Sequence, residues 1–135
     1  MSFLATLFID DRAITVLECS FEIHKKADET GKPISLAYGG QVEISFEMNE
    51  KDDEFFTWAK ETTMLKDGNI VFYKDDVMAV KYKLEFKQGY CLSFSAQFSS
   101  EDRFMGHIVI SALELKFGKE THVNHWGILQ KTKDN

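Results

Sequence analysis

The chain has 135 residues, 44% hydrophobic and 28% charged, which suits a single soluble domain with enough apolar side chain for a core. Its formal net charge of -6 argues against nucleic acid and against an anionic membrane as partners, since both would repel it. No run approaches the roughly 20 apolar residues of a membrane span, and Met1-Ser2-Phe3-Leu4-Ala5-Thr6 lacks the basic start and apolar run of a cleaved leader, so the expected localisation is cytoplasmic, with any export independent of a signal peptide.

In chain order, residues 2–9 read as a strand that turns at Asp10-Asp11. A second strand over residues 13–25 places Leu17, Cys19, Phe21 and Ile23 on one face and Glu18, Ser20, Glu22 and His24 on the other. Periodicity then stops. Residues 27–40 hold Asp28, Glu29, Thr30, Gly31, Lys32, the single proline Pro33, Tyr38, and the pair Gly39-Gly40. A loop of that length usually has a function or is disordered. Val42, Ile44, Phe46 and Met48 alternate with polar residues in a third strand.

One helix follows. Asn49 or Asp52 can cap it, Asp52, Asp53 and Glu54 suit the positive end of its dipole, and Phe55, Trp58, Ala59 and Thr62 share a face. Its expected end is Lys60 or Glu61, and its expected place is over a barrel mouth. A turn at Lys66-Asp67-Gly68 leads to a short strand over residues 70–73, and Lys74-Asp75-Asp76 turns the chain again.

Residues 78–98 carry the clearest alternation. Met78, Val80, Tyr82, Leu84 and Phe86, then Tyr90, Leu92, Phe94, Ala96 and Phe98, form the apolar row. A three-residue turn at Lys87-Gln88-Gly89 would keep both halves of that row on one face, with Gly89 in the left-handed region. This favours a hairpin; one long strand bent at a glycine bulge has the same parity and stays open. The last predicted strand, residues 105–117, is apolar on both faces in its first half, which implies cover on both sides. Residues 121–135 read as a polar tail apart from Trp126, Ile128 and Leu129.

Catalytic and metal-binding patterns are weak. His24 and His107 sit on strands, and His122 and His125 have a metal-like spacing without a third ligand nearby in the sequence. The acidic pairs Asp52-Asp53, Asp75-Asp76 and Glu101-Asp102 fall at caps and turns. Cys91 has the parity of the polar face, four residues after Lys87, which is slight support for a lowered thiol pKa. The reading from residues alone is a small acidic β-barrel or sandwich whose strand edges, two-faced last strand and long loop suit assembly with copies of itself. No cofactor and no enzymatic activity are expected.

Specific strings add to this. Ser2-Phe3-Leu4-Ala5-Thr6-Leu7 opens the chain, and Val16-Leu17-Glu18-Cys19-Ser20-Phe21 follows. Asp28-Glu29-Thr30-Gly31-Lys32-Pro33 leads to Gly39-Gly40-Gln41, then Gly68-Asn69-Ile70-Val71-Phe72-Tyr73, Leu84-Glu85-Phe86, Tyr90-Cys91, Ile110-Ser111-Ala112 and Asn124-His125-Trp126. The ordered series resembles the type VI secretion tube family, Hcp or TssD, in its Bacteroidetes form, over about residues 2–126.

The resemblance implies a tail-tube-like antiparallel β-barrel domain over residues 1–126, with one helix, a long extended loop and a polar tail at 127–135. It implies a structural, non-enzymatic subunit of hexameric rings that stack into a tube. A contractile sheath expels the tube, a spike caps it and effectors travel in its lumen. Asp28, Glu29, Thr30, Gly31, Lys32, Pro33, Tyr38, Gly39 and Gly40 would form the contact loop between subunits or rings. Two alternatives stand beside it: a monomeric barrel that binds a small apolar ligand, with the helix as lid, and a phage-like tail-tube subunit.

Overall fold

Alternating side chains build seven strands and one helix among the residues described by the computed structural model, which are 3–74, 79–101, 103–124 and 126. In order these are β1 (Phe3–Ile9), β2 (Arg12–His24), β3 (Tyr38–Glu47), α1 (Asp53–Lys60), β4 (Lys66–Lys74), β5 (Val80–Gln97), β6 (Met105–Phe117) and β7 (Glu120–Val123). Each pairs antiparallel with its neighbours in the order β3-β2-β1-β4-β5-β6-β7. A further β3–β6 ladder, Gln41 opposite Ser111 through Glu47 opposite Met105, closes six strands into a barrel and removes their open edges. Inside lie Leu7, Val42, Ile44, Phe46, Ile70, Leu84, Phe86, Ile108 and Ile110, all fully buried.

The register gives the barrel two unlike ends. The β1–β2 turn, the end of β3 and α1 share one end, while the start of β1, the end of β2 and the start of β5 share the other. At the first end α1 buries Phe55 and Trp58. Phe55 packs on Phe46, ring centroids 5.0 Å apart, and the Trp58 indole N–H donates to the carbonyls of Gly89 (3.1 Å) and Met64 (3.2 Å). Thr62 lies exposed beyond the helix, outside the face expected to include it.

Asp52 precedes α1 but makes no side-chain cap. Its fully buried carboxylate accepts from the Asn49 N–H (2.8 Å) and pairs with Arg12. Arg12 also reaches Glu54 at 3.3 Å and lies 5.8 Å from the Phe55 ring centre. Burial works against the guanidinium charge, and Asp52, with help from Glu54, outweighs it, so the Arg12 pKa is raised.

The hairpin expected at Lys87-Gln88-Gly89 is absent, because β5 is one bent strand, the alternative left open by parity. β5 has one residue more than β4 between the pairs Lys66–Gly89 and Gly68–Phe86, so it bulges there. Gln88, not Gly89, takes the positive φ (52°), and its N–H donates to the Asp67 carboxylate at 2.8 Å. Gly89 is required for space: a Cβ there would lie 2.9 Å from Ile110 Cγ2. Lys66-Asp67-Gly68 is therefore part of β4 and not a turn before it.

A second bulge at Leu92, where Cys91 and Ser93 face adjacent β6 residues, flips the parity again. The inward row accordingly runs Leu84, Phe86, Gly89, Cys91 and Phe94, leaving Leu92 exposed. A bulge at Leu17 does the same in β2, so Ile14 and Val16 face inward before it and Cys19 and Phe21 after it. Met78, Asp75 and Asp76 lie outside the described residues. The expected polar tail instead begins as β7, joined to β6 by a tight turn with Gly118 at φ 62°.

Cys91 is buried, contrary to its sequence parity. Burial pushes both Cys19 and Cys91 thiols up to about 11, and both are free. Neither thiol should react appreciably with iodoacetamide at pH 7.5 in the folded protein, whereas unfolding should release both. Mass spectrometry before and after denaturant reads this, and rapid labelling of native Cys91 would contradict it.

Candidate assembly surfaces

The stretch between β2 and β3, residues 25–37, is exposed yet internally bonded. Its hub is Asp28, whose carboxylate accepts from the Thr30 hydroxyl (2.7 Å), the Thr30 N–H (2.9 Å) and the Lys32 N–H (3.0 Å). These bonds, led by the Thr30 hydroxyl, hold the Asp28 pKa below the usual carboxylate range. Gly31 takes φ 89° at the tip, Ala27 bridges Pro33, and the Ile34 N–H returns to the Lys26 carbonyl at 2.9 Å. Asp28, Thr30, Gly31, Lys32 and Pro33 thus form a stiffened arm with Glu29 exposed near its tip. On the same arm Ile34 and Leu36 are 64% and 69% exposed.

Tyr38, Gly39 and Gly40, expected in the loop, belong to β3 and anchor the arm's return. Gly39 has φ 128°, and a Cβ on it would meet the Glu22 carbonyl at 2.6 Å. The Asn124 amide donates to the carbonyls of Gly39 (3.0 Å) and Ala112 (2.8 Å), tying the chain after β7 to the arm's base. Tyr38 packs edge-on against His24, 4.1 Å between centroids. Gly39→Ala is expected to lower stability by about 1–3 kcal/mol through this clash and the left-handed backbone. A thermal melt within about 2 °C of the parent would contradict that assignment.

The outward faces differ in character. Across β2, β3, β6 and β5 the register aligns Glu18, Ser45, His107 and Ser95 in one row, Ser20, Glu43, Val109 and Ser93 in the next, then Glu22, Gln41, Ser111 and Tyr90. That face is mainly polar, with Val109, Tyr90 and the exposed bulge residues Leu17 and Leu92 as its apolar members. His107 accounts for its ring nitrogens there, Nδ1 2.9 Å from the Ser45 hydroxyl and Nε2 3.4 Å from Glu43. His122 Nε2 lies 3.1 Å from Asn124 Oδ1, and His125 is outside the described residues. No group of three metal-ligating side chains occurs among the described residues.

Apolar exposure concentrates elsewhere. Phe56, Leu65, Phe98 and Phe104 are exposed at the helix end, with Phe98 and Phe104 in edge contact at 5.9 Å. Leu4 and Phe8 project outward from β1. At the opposite end Phe3, Ile23, Tyr82 and Phe117 are exposed, although their strand positions point them inward, and Val80, paired with the outward Tyr73 beyond a bulge, is exposed on the outer face. So many exposed large apolar side chains on one small domain mark surfaces that other protein covers.

The family model for hemolysin coregulated protein Hcp (TssD) matches residues 1–127, nearly the whole chain. The chain belongs to the Hcp (TssD) family. Hcp1 from Flavobacterium johnsoniae is 25% identical and superposes with a TM-score of 0.83 over 90% of this chain and 99% of its own. Hcp1 from Salmonella typhimurium is 15% identical, with a TM-score of 0.73 over 90% and 92% of the two chains. A chain from the sheath–tube complex of an extracellular contractile injection system, PVC, shares the fold at 14% identity and a TM-score of 0.52, covering 86% of this chain and 88% of that one. No curated protein matches the sequence. An Hcp-family chain is a type VI secretion tube subunit, and the barrel with one helix agrees with that resemblance.

The arm's polar hub lies where the sequence pointed, while Ile34, Leu36 and Asn124 escaped it. Ile34-x-Leu36 was a readable signal, two aliphatic residues at strand spacing in an otherwise polar stretch. Asn124 offered none, since its partners come from β3 and β6.

Proposed function

We propose that this Hcp-family chain forms hexameric rings that stack into the type VI tube, which a sheath expels and a spike caps while effectors occupy its lumen. Residues 1–126 act as the barrel domain and residues 127–135 as a tail. The role is structural and non-enzymatic, and the subunit is made in the cytoplasm before export through the apparatus. The observation that carries the reading is exposed aromatic surface at both unlike ends of one barrel, which suits head-to-tail repetition between copies. The polar rows across β2, β3, β6 and β5 suit a wet lumen wall that does not retain cargo, whereas the apolar surfaces suit burial between subunits.

Asp28, Glu29, Thr30, Gly31, Lys32 and Pro33 are assigned to the contact between subunits or rings, with Tyr38, Gly39 and Gly40 as its base. Deleting residues 29–36 should leave the melting temperature of the monomer within about 3 °C, since the arm adds nothing to the core, and should weaken ring closure or stacking. Negative-stain images with as many rings as the parent would rule out this role. The fold is shared with a contractile-particle tube complex, so a phage-like tail tube is the second reading. The ligand-binding barrel has less support, because large side chains fill the interior and the open clefts lie at its surface.

A further inference from the structure

The two sides of the barrel's outer surface treat their charges differently. Where β5 and β6 run beside β7, Glu85 lies opposite Lys116 and Glu114 opposite Lys87, so each acid has a lysine across the ladder. On the polar face of β2, β3, β6 and β5 the acids have neutral partners. Glu18 lies opposite Ser45, Glu22 opposite Gln41, Glu43 between Ser20 and Val109, and Glu47 opposite Met105. All four glutamates are exposed. No lysine or arginine stands in those rows, and every lysine of the strands falls on β4, the first half of β5 or the end of β6. Arg103, beside the face, is taken by Glu47 at 3.6 Å, and His107 sits between Ser45 and Glu43.

We propose that this face selects cargo by charge, and that the partner it fits is a small protein with a basic surface. The inference rests on the reading of the face as the lumen wall and names the chemistry that the lumen admits. Repeated around a ring, the uncompensated carboxylates enclose a space of one sign, where their fields add and raise the local concentration of a cationic partner. An acidic protein of the same size meets like charge from every subunit. Short-range contact stays small. The bulges in β2 and β5 push Leu17 and Leu92 onto the face, 42% and 54% exposed, but β3 and β6 lie between them. At the usual strand spacing that separates the two leucines by at least about 14 Å, too far to form one dry patch. The wall therefore draws basic cargo in without gripping it, through an attraction that salt screens.

Two probes of one fold and opposite charge test this: cytochrome c, which is small and basic, and its succinylated form, which is acidic. Binding of each to the assembled protein is read by co-sedimentation, with the oligomer mass measured beside it. The basic form should bind at least about tenfold more tightly than the acidic one, and raising salt from about 20 mM to about 200 mM should remove most of that preference. Two triple variants with the same net charge locate the attraction. Glu18→Gln/Glu22→Gln/Glu43→Gln should weaken binding of the basic probe at least about fivefold, whereas Glu50→Gln/Glu61→Gln/Glu120→Gln, exposed positions off the face, should change it less than about twofold. Equal losses in the two triple variants would show that net charge, not the face, attracts the probe, and would overturn the proposal. Equal binding of the two probes, binding that ignores salt, or no binding to well-formed oligomers would also overturn it, with the self-assembly reading left standing. Absence of oligomers from the parent overturns both.

Discussion

Trp58→Ala should lower stability by about 3–5 kcal/mol, a drop of roughly 10–15 °C in melting temperature for a domain of this size. The indole is fully buried between α1 and β5, and its N–H satisfies two carbonyls, those of Gly89 and Met64. Alanine would leave a cavity at the helix end and strand both carbonyls away from a donor. The Gly89 carbonyl belongs to the bend of β5, so the tryptophan fixes the helix and the bend together. Trp58→Phe separates the two effects. It keeps most of the packing and removes only the donor, with an expected cost of about 1–2 kcal/mol. Equal losses in the two variants, read by chemical denaturation, would mean that packing is not what Trp58 contributes.

The second large effect concerns the pair that docks α1 on the β1–β2 turn. Arg12→Met should cost about 3 kcal/mol, because it leaves the carboxylate of Asp52 buried without its counter-charge. Arg12 keeps 17% of its side chain exposed, which sets the expectation at the lower end for broken buried pairs. Asp52→Leu also removes the acceptor of the Asn49 N–H. Combining Arg12→Met with Asp52→Leu should cost clearly less than the two single changes added together, since no lone charge is then buried. A double-mutant cycle measures this, and strict additivity would show that the pair does not act as a unit.

These two sites show what the sequence makes legible. The aromatic spacing of Phe55 and Trp58 announces a docked helix because the helical period is local. The partners of Asp52 and Trp58 are 40 and 31 residues away in the chain, so Asp52 resembles an ordinary helix cap. In β3 and the first half of β6 the alternation is unbroken, and the inward rows Val42, Ile44, Phe46 and Ile108, Ile110, Ala112 follow directly from it. β2 and β5 are different. Bulges at Leu17, Gln88 and Leu92 each shift the inward row by one residue, and alternation read straight through them assigns Cys91 and Leu92 to the wrong faces.

The same logic applies to the assembly surfaces. A polar stretch with Asp28, Thr30, Gly31 and Pro33 reads as an irregular loop, but its internal bonds make it an arm. Exposed Phe117 and Tyr82 look like core residues in sequence, since their strand positions point inward. Only the barrel's three-dimensional closure shows that, among the described residues, none covers them fully.

The central claim is that this chain assembles into a hexamer, and the mass of the purified protein by light scattering across a concentration series tests it most directly. The account predicts a plateau at six times the 15.6 kDa chain, with longer stacks appearing at high concentration. A single species at 15.6 kDa throughout the series would contradict it.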